Sequence, residues 1–328
     1  MKNKQINVLI LSAGRRVELI ECFQNAREKA GVFSKVIAAD ISPLAPALYY
    51  ADEYRLIPRI GEENYIQSII NLCTEKTIKI IIPTIDTELL VLSKNKEIIE
   101  NATGTKVLVS DLGVINICRD KIKTQKFLEE NGFNIPKMYS DKEIMEGKIT
   151  LPLFIKPKSG SSSKNTFKID SILELNYLYN SIKDPIVQDF IQGEEYSVDA
   201  FLDFKGKIIS IVPRLRIATR DGEISKGKIV KDKEIIETIR KLMNILKPIG
   251  HITIQLMKTK KGIEFIEINP RFGGGAPMSI MSGADSCEYL YRILLGEELE
   301  YNENYRDNLT YLRFDRSVCI NDKNEVVE

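Results

Sequence analysis

Glu267, Asn269 and Arg271 stand at every second position of FIEINPRFGGGAP, residues 265–277. On a strand, i, i+2 and i+4 share a face, so a carboxylate, an amide and a guanidinium project together while Ile266 and Ile268 point into a core. Upstream, HITIQLM reads as a second strand, and TKKG at 259–262 reads as the hairpin between them, with Gly262 ending a short loop. Folding the pair about Lys261 sets Thr259 opposite Ile263 and Gln255 opposite Glu267. Gln255, Glu267 and Asn269 then offer three oxygen ligands on one patch. Hard oxygen donors without His or Cys suit Mg2+, which takes few protein ligands and completes its shell with substrate phosphates. The competing reading is a solvated antiparallel face with ordinary polar alternation.

Three other segments carry chemistry. Lys156 ends the apolar strand LPLFIKP and precedes KSGSSSKNT, a donor-rich run around Gly160. Such a loop can wrap a polyphosphate with N–H groups and hydroxyls while the lysine supplies a point charge. It lacks the GxxxxGK[ST] pattern, and a Gly/Ser run also marks a plain flexible turn. VQDFIQGEEYSVD joins two strands through a turn at Gln192 and Gly193 and carries Glu194 and Glu195. Main-chain groups of an extended hinge can pair with an adenine edge, and a carboxylate beyond it can accept from ribose hydroxyls; a simple hairpin gives the same pattern. In VPRLRIATRDGEISKGK, Arg214 and Arg216 share a strand face, and two adjacent guanidinium groups repel unless an anion or a carboxylate lies between them.

The elements that must position these groups fall into three blocks. In the first, INVLIL, KVIAAD, KIIIPT and KVLVS alternate with helical patterns such as VELIECFQNAREKAG, which argues a parallel sheet with crossover helices. Ligands of such sheets bind beyond the carboxyl ends of the strands, here SAGRR (12–16), Asp40 and PTIDTE (83–88). A single Gly14 replaces the GxGxxG fingerprint, which disfavours NAD. Arg15 and Arg16 can hold an anionic substrate group or simply start a helix, and Asp86 and Glu88 join them as candidates for holding a zwitterion. The second block opens with the helix RDKIKTQKFLEENG, and the third holds several strands, the hairpin and the helix in GADSCEYLYRILLG. His251, the only histidine, reads as an ordinary strand residue, and Arg313, Asp315 and Arg316 as a charged strand edge.

Composition narrows the function classes. With 328 residues the chain is long enough for two or three cores, and 47 Lys and Arg against 46 Asp and Glu leave no basic excess for nucleic acid or anionic membrane. Five scattered cysteines without CxxC spacing suggest neither disulfides nor zinc and fit a reducing cytoplasm. The N-terminal apolar run is too brief for a signal peptide, and no segment has the length of a membrane span. General grounds favour a homodimer if the protein assembles.

The order of lysine helix, FIKPKSGSSS, VQDFIQGEEYSVD, PRLR and IEINPRFGGGAP resembles the ATP-grasp superfamily, especially its carbamoyl-phosphate-synthase-like branch. The resemblance spans nearly the whole chain. It implies an α/β and α+β protein: a Rossmann-like parallel-sheet domain at 1–116, a central or lid lobe at 117–187, and a C-terminal lobe with the metal site at 188–328. It implies ATP with Mg2+, or Mn2+ in its place, and small carboxylate and amine substrates. Lys121 and Lys156 resemble the lysines on the ATP phosphates, and Gly160, Ser161, Ser162 and Ser163 the loop that closes over them. Gln188, Asp189, Phe190 and Ile191 resemble the adenine hinge, although Gln188 stands where many members have Glu, and Glu195 resembles the ribose ligand. Gln255, Glu267 and Asn269 match the family's magnesium ligands. Arg271 resembles the residue that stabilises the transferring phosphoryl group, with Lys156 and Arg214 as further catalytic candidates. Arg15, Arg16, Arg216, Gly274 and Gly275 complete the expected substrate end. The implied activity is carboxylate–amine ligation through an acyl phosphate; activation of bicarbonate or carbamate, and a non-catalytic ATP sensor, are the alternatives.

Overall fold

The computed structural model describes residues 5–158 and 165–327. Its N-terminal unit is a parallel sheet of β1 (Asn7–Leu11), β2 (Val36–Asp40), β3 (Glu53–Leu56), β4 (Ile78–Pro83) and β5 (Lys106–Val107), in spatial order β3-β2-β1-β4-β5. β1 and β2 are buried along their length, which is why they read as unbroken apolar runs. β3 was not among the expected strands. Its sequence, EYRL, is a partly exposed sheet edge without apolar alternation, held by backbone pairing to β2.

The helices α1 (Val17–Lys29), α2 (Tyr65–Glu75) and α3 (Asp86–Thr103) cover this sheet. Strand order reverses between β1 and β4, so the loops leaving those two strands border the crevice where open sheets take their ligands. Ser12 and Gly14 both adopt left-handed φ angles, 49° and 48°, and the Gly14 N–H donates to the Asp40 carboxylate at 2.9 Å. The loop thereby folds back over the end of β2.

After α4 (Leu112–Cys118) and α5 (Lys121–Glu130) comes a small antiparallel sheet. It contains β6 (Met138–Tyr139), β7 (Leu153–Pro157), β8 (Phe167–Ile169) and β9 (Pro185–Asp189), ordered β6-β9-β7-β8, with α6 (Asp141–Met145) and α7 (Ile172–Ser181) alongside. Both helices begin with capping boxes, Ser140 with Glu143 and Ser171 with Glu174. The sheet has its own core of Tyr139, Leu153, Ile155, Ile169, Leu175, Ile182 and Val187. Gln188 and Asp189 pair with Phe154 and Leu153, so β9 straddles the expected boundary at 187/188.

Most of the remainder builds one large, antiparallel sheet from β10 (Glu194–Leu202), β11 (Ile208–Arg220), β12 (Glu223–Ile229), β13 (Gly250–Thr259), β14 (Gly262–Asn269) and β15 (Thr310–Leu312), ordered β14-β13-β10-β11-β12-β15, and β16 (Cys319–Ile320) pairs with β17 (Val326–Val327) as a separate short ribbon. Helix α8 (Lys233–Leu246) covers one face. Its Ile235, Ile236, Ile239, Leu242, Met243 and Leu246 form a single stripe against Val198, Ile254, Leu256, Phe265 and Ile268. Burying each such side chain contributes roughly 1.5–3 kcal/mol. Asp232 caps the helix and Lys247, in the left-handed region, ends it before Pro248.

The β13–β14 hairpin departs from the expected register in an instructive way. Thr259 pairs with Gly262, not Ile263, so the loop is only Lys260 and Lys261. A shift between Gln255 and Leu256 leaves Ile266 as an extra residue, and Gln255 again faces Glu267. The bulge takes Ile266 out of the core, where Phe265 and Ile268 sit instead.

Two further helices, α9 (Ala276–Ser282) and α10 (Ser286–Leu295), join the large sheet to the N-terminal unit. Leu19, Ile20 and Phe23 of α1 share a core with Phe201, Phe272, Ala276, Ile280, Leu290 and Tyr291. Phe23 sits edge-on to Phe272 at 5.9 Å and to Tyr291 at 6.2 Å. Among the described residues no helix is long and apolar enough to cross a membrane, and all five cysteines are unpaired thiols.

Candidate active site

Asp120 caps α5 by accepting from the backbone N–H groups of Ile122 and Lys123, at 2.9 and 3.2 Å, which makes Lys121 the first helical residue. From there its ammonium donates to the Pro157 carbonyl at 2.9 Å, at the end of β7. Lys156 precedes that residue and is only 7% exposed. Burial foremost, and then the Lys121 charge, lowers Lys156 to about 8, while Glu267 pulls it back upward. Burial also lowers Lys121, again against Glu267. Two ammonium groups and one carboxylate thus share one electrostatic neighbourhood. Gly160, Ser161, Ser162 and Ser163 lie outside the described residues.

Strand register gathers the other groups. Glu267 faces Gln255, Gln255 faces Ser197, and Ser197 faces Arg214, in one row across four strands. The next row on the same face holds Asn269, Thr253 and Asp199. Asn269 donates its amide to Glu267 at 2.8 Å. One carboxylate flanked by two amides balances only part of a divalent charge, and no cluster of three or more His, Cys, Asp or Glu exists among the described residues to cage a metal with protein alone. This donor set fits an ion whose remaining ligands are phosphate oxygens.

Glu195 lies on the same face, 3.3 Å from Arg216 Nε. Burial raises the Glu195 pKa, opposed by Arg216, and burial lowers that of Arg216, opposed by Glu195. In the hinge, Gln188 is buried and its Oε1 has no hydrogen-bond partner among the described residues. The Asp189 N–H donates to the Lys137 carbonyl at 2.9 Å, and the Phe190 N–H to the Pro152 carbonyl at 3.2 Å. Ile191 is half-buried just beyond. Gly193 passes so close to the Lys258 carbonyl that a Cβ would overlap it.

Arg214 sits deeper, 1% exposed, and donates through Nη2 to Asp199 Oδ1 at 2.7 Å. Asp199 also accepts from Thr253 Oγ1 at 2.9 Å and Ser279 Oγ at 2.6 Å, and His251 Nε2 lies 3.3 Å away. Burial, the largest influence, pushes the Asp199 pKa up, but Arg214 and His251 together hold it well below the usual carboxylate range. His251 Nδ1 lies 3.1 Å from Ser286 Oγ, which completes the order Ser–His–Asp. Yet all three side chains are sealed in the interior and Asp199 is engaged by Arg214, so the set is a buried network with no route for a substrate.

At the substrate end, Arg15, Arg16, Glu18, Gly273, Gly274 and Arg313 line one cleft between the β1–α1 loop and the glycine run. Glu223 accepts from Arg16 Nη1 at 2.9 Å and from Arg313 Nη1 at 3.0 Å. Burial opposes its ionisation most strongly, but the two arginines lower its pKa overall. Arg271 forms a two-pronged pair with Asp86, Nε to Oδ1 at 3.0 Å and Nη2 to Oδ2 at 2.6 Å. Glu88, expected beside it as a zwitterion contact, is instead fully buried, where it accepts from Ser12 Oγ at 2.9 Å and Tyr65 OH at 2.6 Å. It supports the β1 loop from below.

The three glycines have a packing reason. A Cβ would crowd Thr253 at Gly273, overlap the Glu223 carboxylate at Gly274, and overlap Arg214 Nη1 at Gly275. Their smallness lets the chain pass over the polar sheet face, and none has a left-handed φ. Sequence reasoning did not single out Glu223 or Asp199, or foresee Asp86 as a partner of Arg271. For Asp199 a signal existed, since Glu195, Ser197 and Asp199 alternate on one strand. Glu223 opens a strand after an ordinary turn and carries no local mark.

Comparison with known proteins follows the same division. Residues 8–108 match the family model of the PylC-like N-terminal domain, and residues 118–275 that of the ATP-grasp domain. A D-alanine–D-alanine ligase from Francisella tularensis subsp. novicida is 26% identical over 168 residues, 47% of this chain and 57% of that enzyme. The chain therefore spans little more than half the length of that relative. A carbamoyl-phosphate synthase of Methanobrevibacter smithii is 23% identical over 238 residues, 68% of this chain and 64% of that protein. Among solved structures, the biotin carboxylase domain of Hydrogenobacter thermophilus 2-oxoglutarate carboxylase, in complex with MgADP, ADP and bicarbonate, superposes with a TM-score of 0.69 at 18% identity. That match covers 92% of this chain and 73% of the other. Residues 118–275 thus carry an ATP-grasp domain, and the parallel N-terminal sheet with the antiparallel sheets after it has the fold of these solved structures.

Proposed function

We propose that the protein is an ATP-dependent carboxylate–amine ligase acting on small molecules, built from an N-terminal unit at 1–116, a lid at 117–187 and a catalytic lobe from 188. The observation that carries this reading is the meeting of Lys121, Lys156 and Glu267, from three elements, beside Gln255 and Asn269. Plain nucleotide recognition does not require so many groups beyond the hinge.

In this reading the adenine edge meets the Asp189 carbonyl and the Ile191 main chain, Asp189 having already used its N–H, and Glu195 accepts from the ribose. Lys121 and Lys156 hold the phosphates, and Gly160, Ser161, Ser162 and Ser163, outside the described residues, belong to the same proposed set of contacts. Gln255, Glu267 and Asn269 hold Mg2+, which when bound neutralises charge at the terminal phosphates. A substrate carboxylate oxygen attacks the γ-phosphorus and ADP leaves, giving an acyl phosphate; the amine nitrogen then attacks the acyl carbon, loses a proton and expels phosphate. Arg271 lowers the repulsion between the two anions in the first step, and Arg15 and Arg16 anchor the substrate beside Gly274. Fixing reactants in line can remove about 7–11 kcal/mol of barrier, and one preorganised donor roughly 3–4 kcal/mol. Arg214, tied to Asp199 on the same sheet face and covered by Gly275, acts from beneath the glycine run, and Arg216 reaches the site beside Glu195.

The test is ADP release from MgATP with pooled amino acids. Release that needs both an acid and an amine supports ligation. Tight MgATP binding with no turnover under any condition contradicts it and leaves a sensor. Dependence on bicarbonate alone supports the second reading, carboxylate activation of bicarbonate or carbamate, which the bicarbonate-bound neighbour and the carbamoyl-phosphate synthase relative favour.

A further inference from the structure

Arg271 and Asp86 lie 185 positions apart, on opposite sides of the junction between the N-terminal unit and the large sheet. Asp86 is the first residue of α3, where a carboxylate is favoured by the helix N-terminus and where the end of β4 fixes its backbone. Arg271 is 14% exposed and Asp86 32%, so the pair is shielded from water more than a surface ion pair. A guanidinium has five N–H groups. The side-on edge, Nε and Nη2, meets the two Asp86 oxygens, and Nη1 donates to the Phe272 carbonyl at 3.1 Å. What a ligand oxygen would meet is the end-on pair of the fork, between Nη1 and Nη2.

Charge gives a second argument. Arg271 and Arg313 each act on Arg16 as like charges, so three guanidinium groups crowd one end of the cleft. Glu223 serves Arg16 and Arg313. Asp86 is the counter-charge for Arg271, and without it the guanidinium would be pushed away from Arg16.

We propose that Asp86 is a positioning residue for the reaction: by gripping the Nε–Nη2 edge of Arg271 it holds the guanidinium plane and aims the adjoining end-on pair, Nη1 and Nη2, at the transferring group. This rests on the ligase reading. It makes the N-terminal unit part of the phosphoryl-transfer step and not only a substrate platform.

The experiment measures ADP release from MgATP with a pool of the twenty amino acids or with bicarbonate. Asp86→Ala should lower kcat about 100-fold, the scale of an ångström-sized misplacement, with the KM for ATP changed less than about twofold. Asp86→Glu, which keeps a two-oxygen grip, should recover part of the loss. Asp86→Asn, which keeps the shape but not the charge, guards against a folding defect in the alanine variant, and each variant is checked by thermal melt. Asp86→Ala combined with Arg271→Ala should be no slower than Arg271→Ala alone. Wild-type kcat in Asp86→Ala, a loss confined to the KM for ATP, or losses that multiply in the double variant would overturn the positioning role while leaving the ligase reading intact. A wild-type protein that releases no ADP under either condition overturns the ligase reading, and the positioning role with it.

Discussion

The N-terminal parallel sheet and the small antiparallel sheet both flank the large sheet, and they are attached to it in different ways. The first shares a core with it, through Phe23, Phe272 and Tyr291, and adds ion pairs Asp86–Arg271, Arg16–Glu223 and Lys29–Asp285 across the junction. The second keeps a separate core; the chain leading into it meets the large sheet where the Asn134 carbonyl accepts from the Phe265 N–H, and Lys156 of the small sheet reaches Glu267 electrostatically. The proposed substrate end thus lies between two units that share a core, whereas the proposed nucleotide site is bordered on one side by a unit with a core of its own.

The largest effect should come from the large sheet itself. Glu267→Gln should cost roughly 100- to 1,000-fold in ADP release with an unchanged melt, as measured by steady-state kinetics and circular dichroism. The second effect separates the two attachments. Phe272→Ala removes a buried ring that also stacks on His251 at 4.3 Å, and should cost about 3–5 kcal/mol spread over the N-terminal strands and the large sheet together. Ile155→Ala should cost about 2–5 kcal/mol confined to the small sheet. Native-state hydrogen exchange distinguishes them, and equal acceleration of both sheets in either variant would break the contrast.

A third, smaller effect depends on pH. Burial raises Glu88 to about 7, so the folded state holds a proton that the unfolded state releases near 4.5. Stability from this group is full below pH 4.5 and lost as pH rises through about 7. Glu88→Gln should therefore gain on the wild type by roughly 3 kcal/mol between pH 4.5 and 8 in urea melts. An advantage independent of pH would contradict the burial argument. The smallest effect concerns the lid: because Lys156 sits at about 8, MgATP affinity should weaken above that pH, by up to about tenfold per unit, and Lys156→Met should abolish the slope. Calorimetric titration from pH 7 to 9.5 measures it.

What could be read from the sequence was whatever depends on local periodicity. Alternation put Glu267, Asn269 and Gln255 on one face, and the lysine helix, hinge and glycine run stand in the family's order. The Gln255–Glu267 pairing emerged from an incorrect loop register, because the Ile266 bulge compensates for the shorter turn. The rest depends on contacts far apart in the chain. Nothing near Asp86 announces Arg271, nothing near Glu223 announces Arg16 and Arg313, and the crowding that requires Gly274 comes from a side chain 51 positions earlier. β3 escaped notice because an edge strand needs no apolar face of its own.

The most direct test is a crystal structure with ADP and Mn2+, the metal located by its anomalous signal. The ion should lie about 2.0–2.3 Å from Glu267 oxygen, with Gln255 or Asn269 and phosphate oxygens completing its shell and Lys156 on the phosphates. A metal away from β13 and β14, or phosphates that do not approach Lys156, would contradict the account.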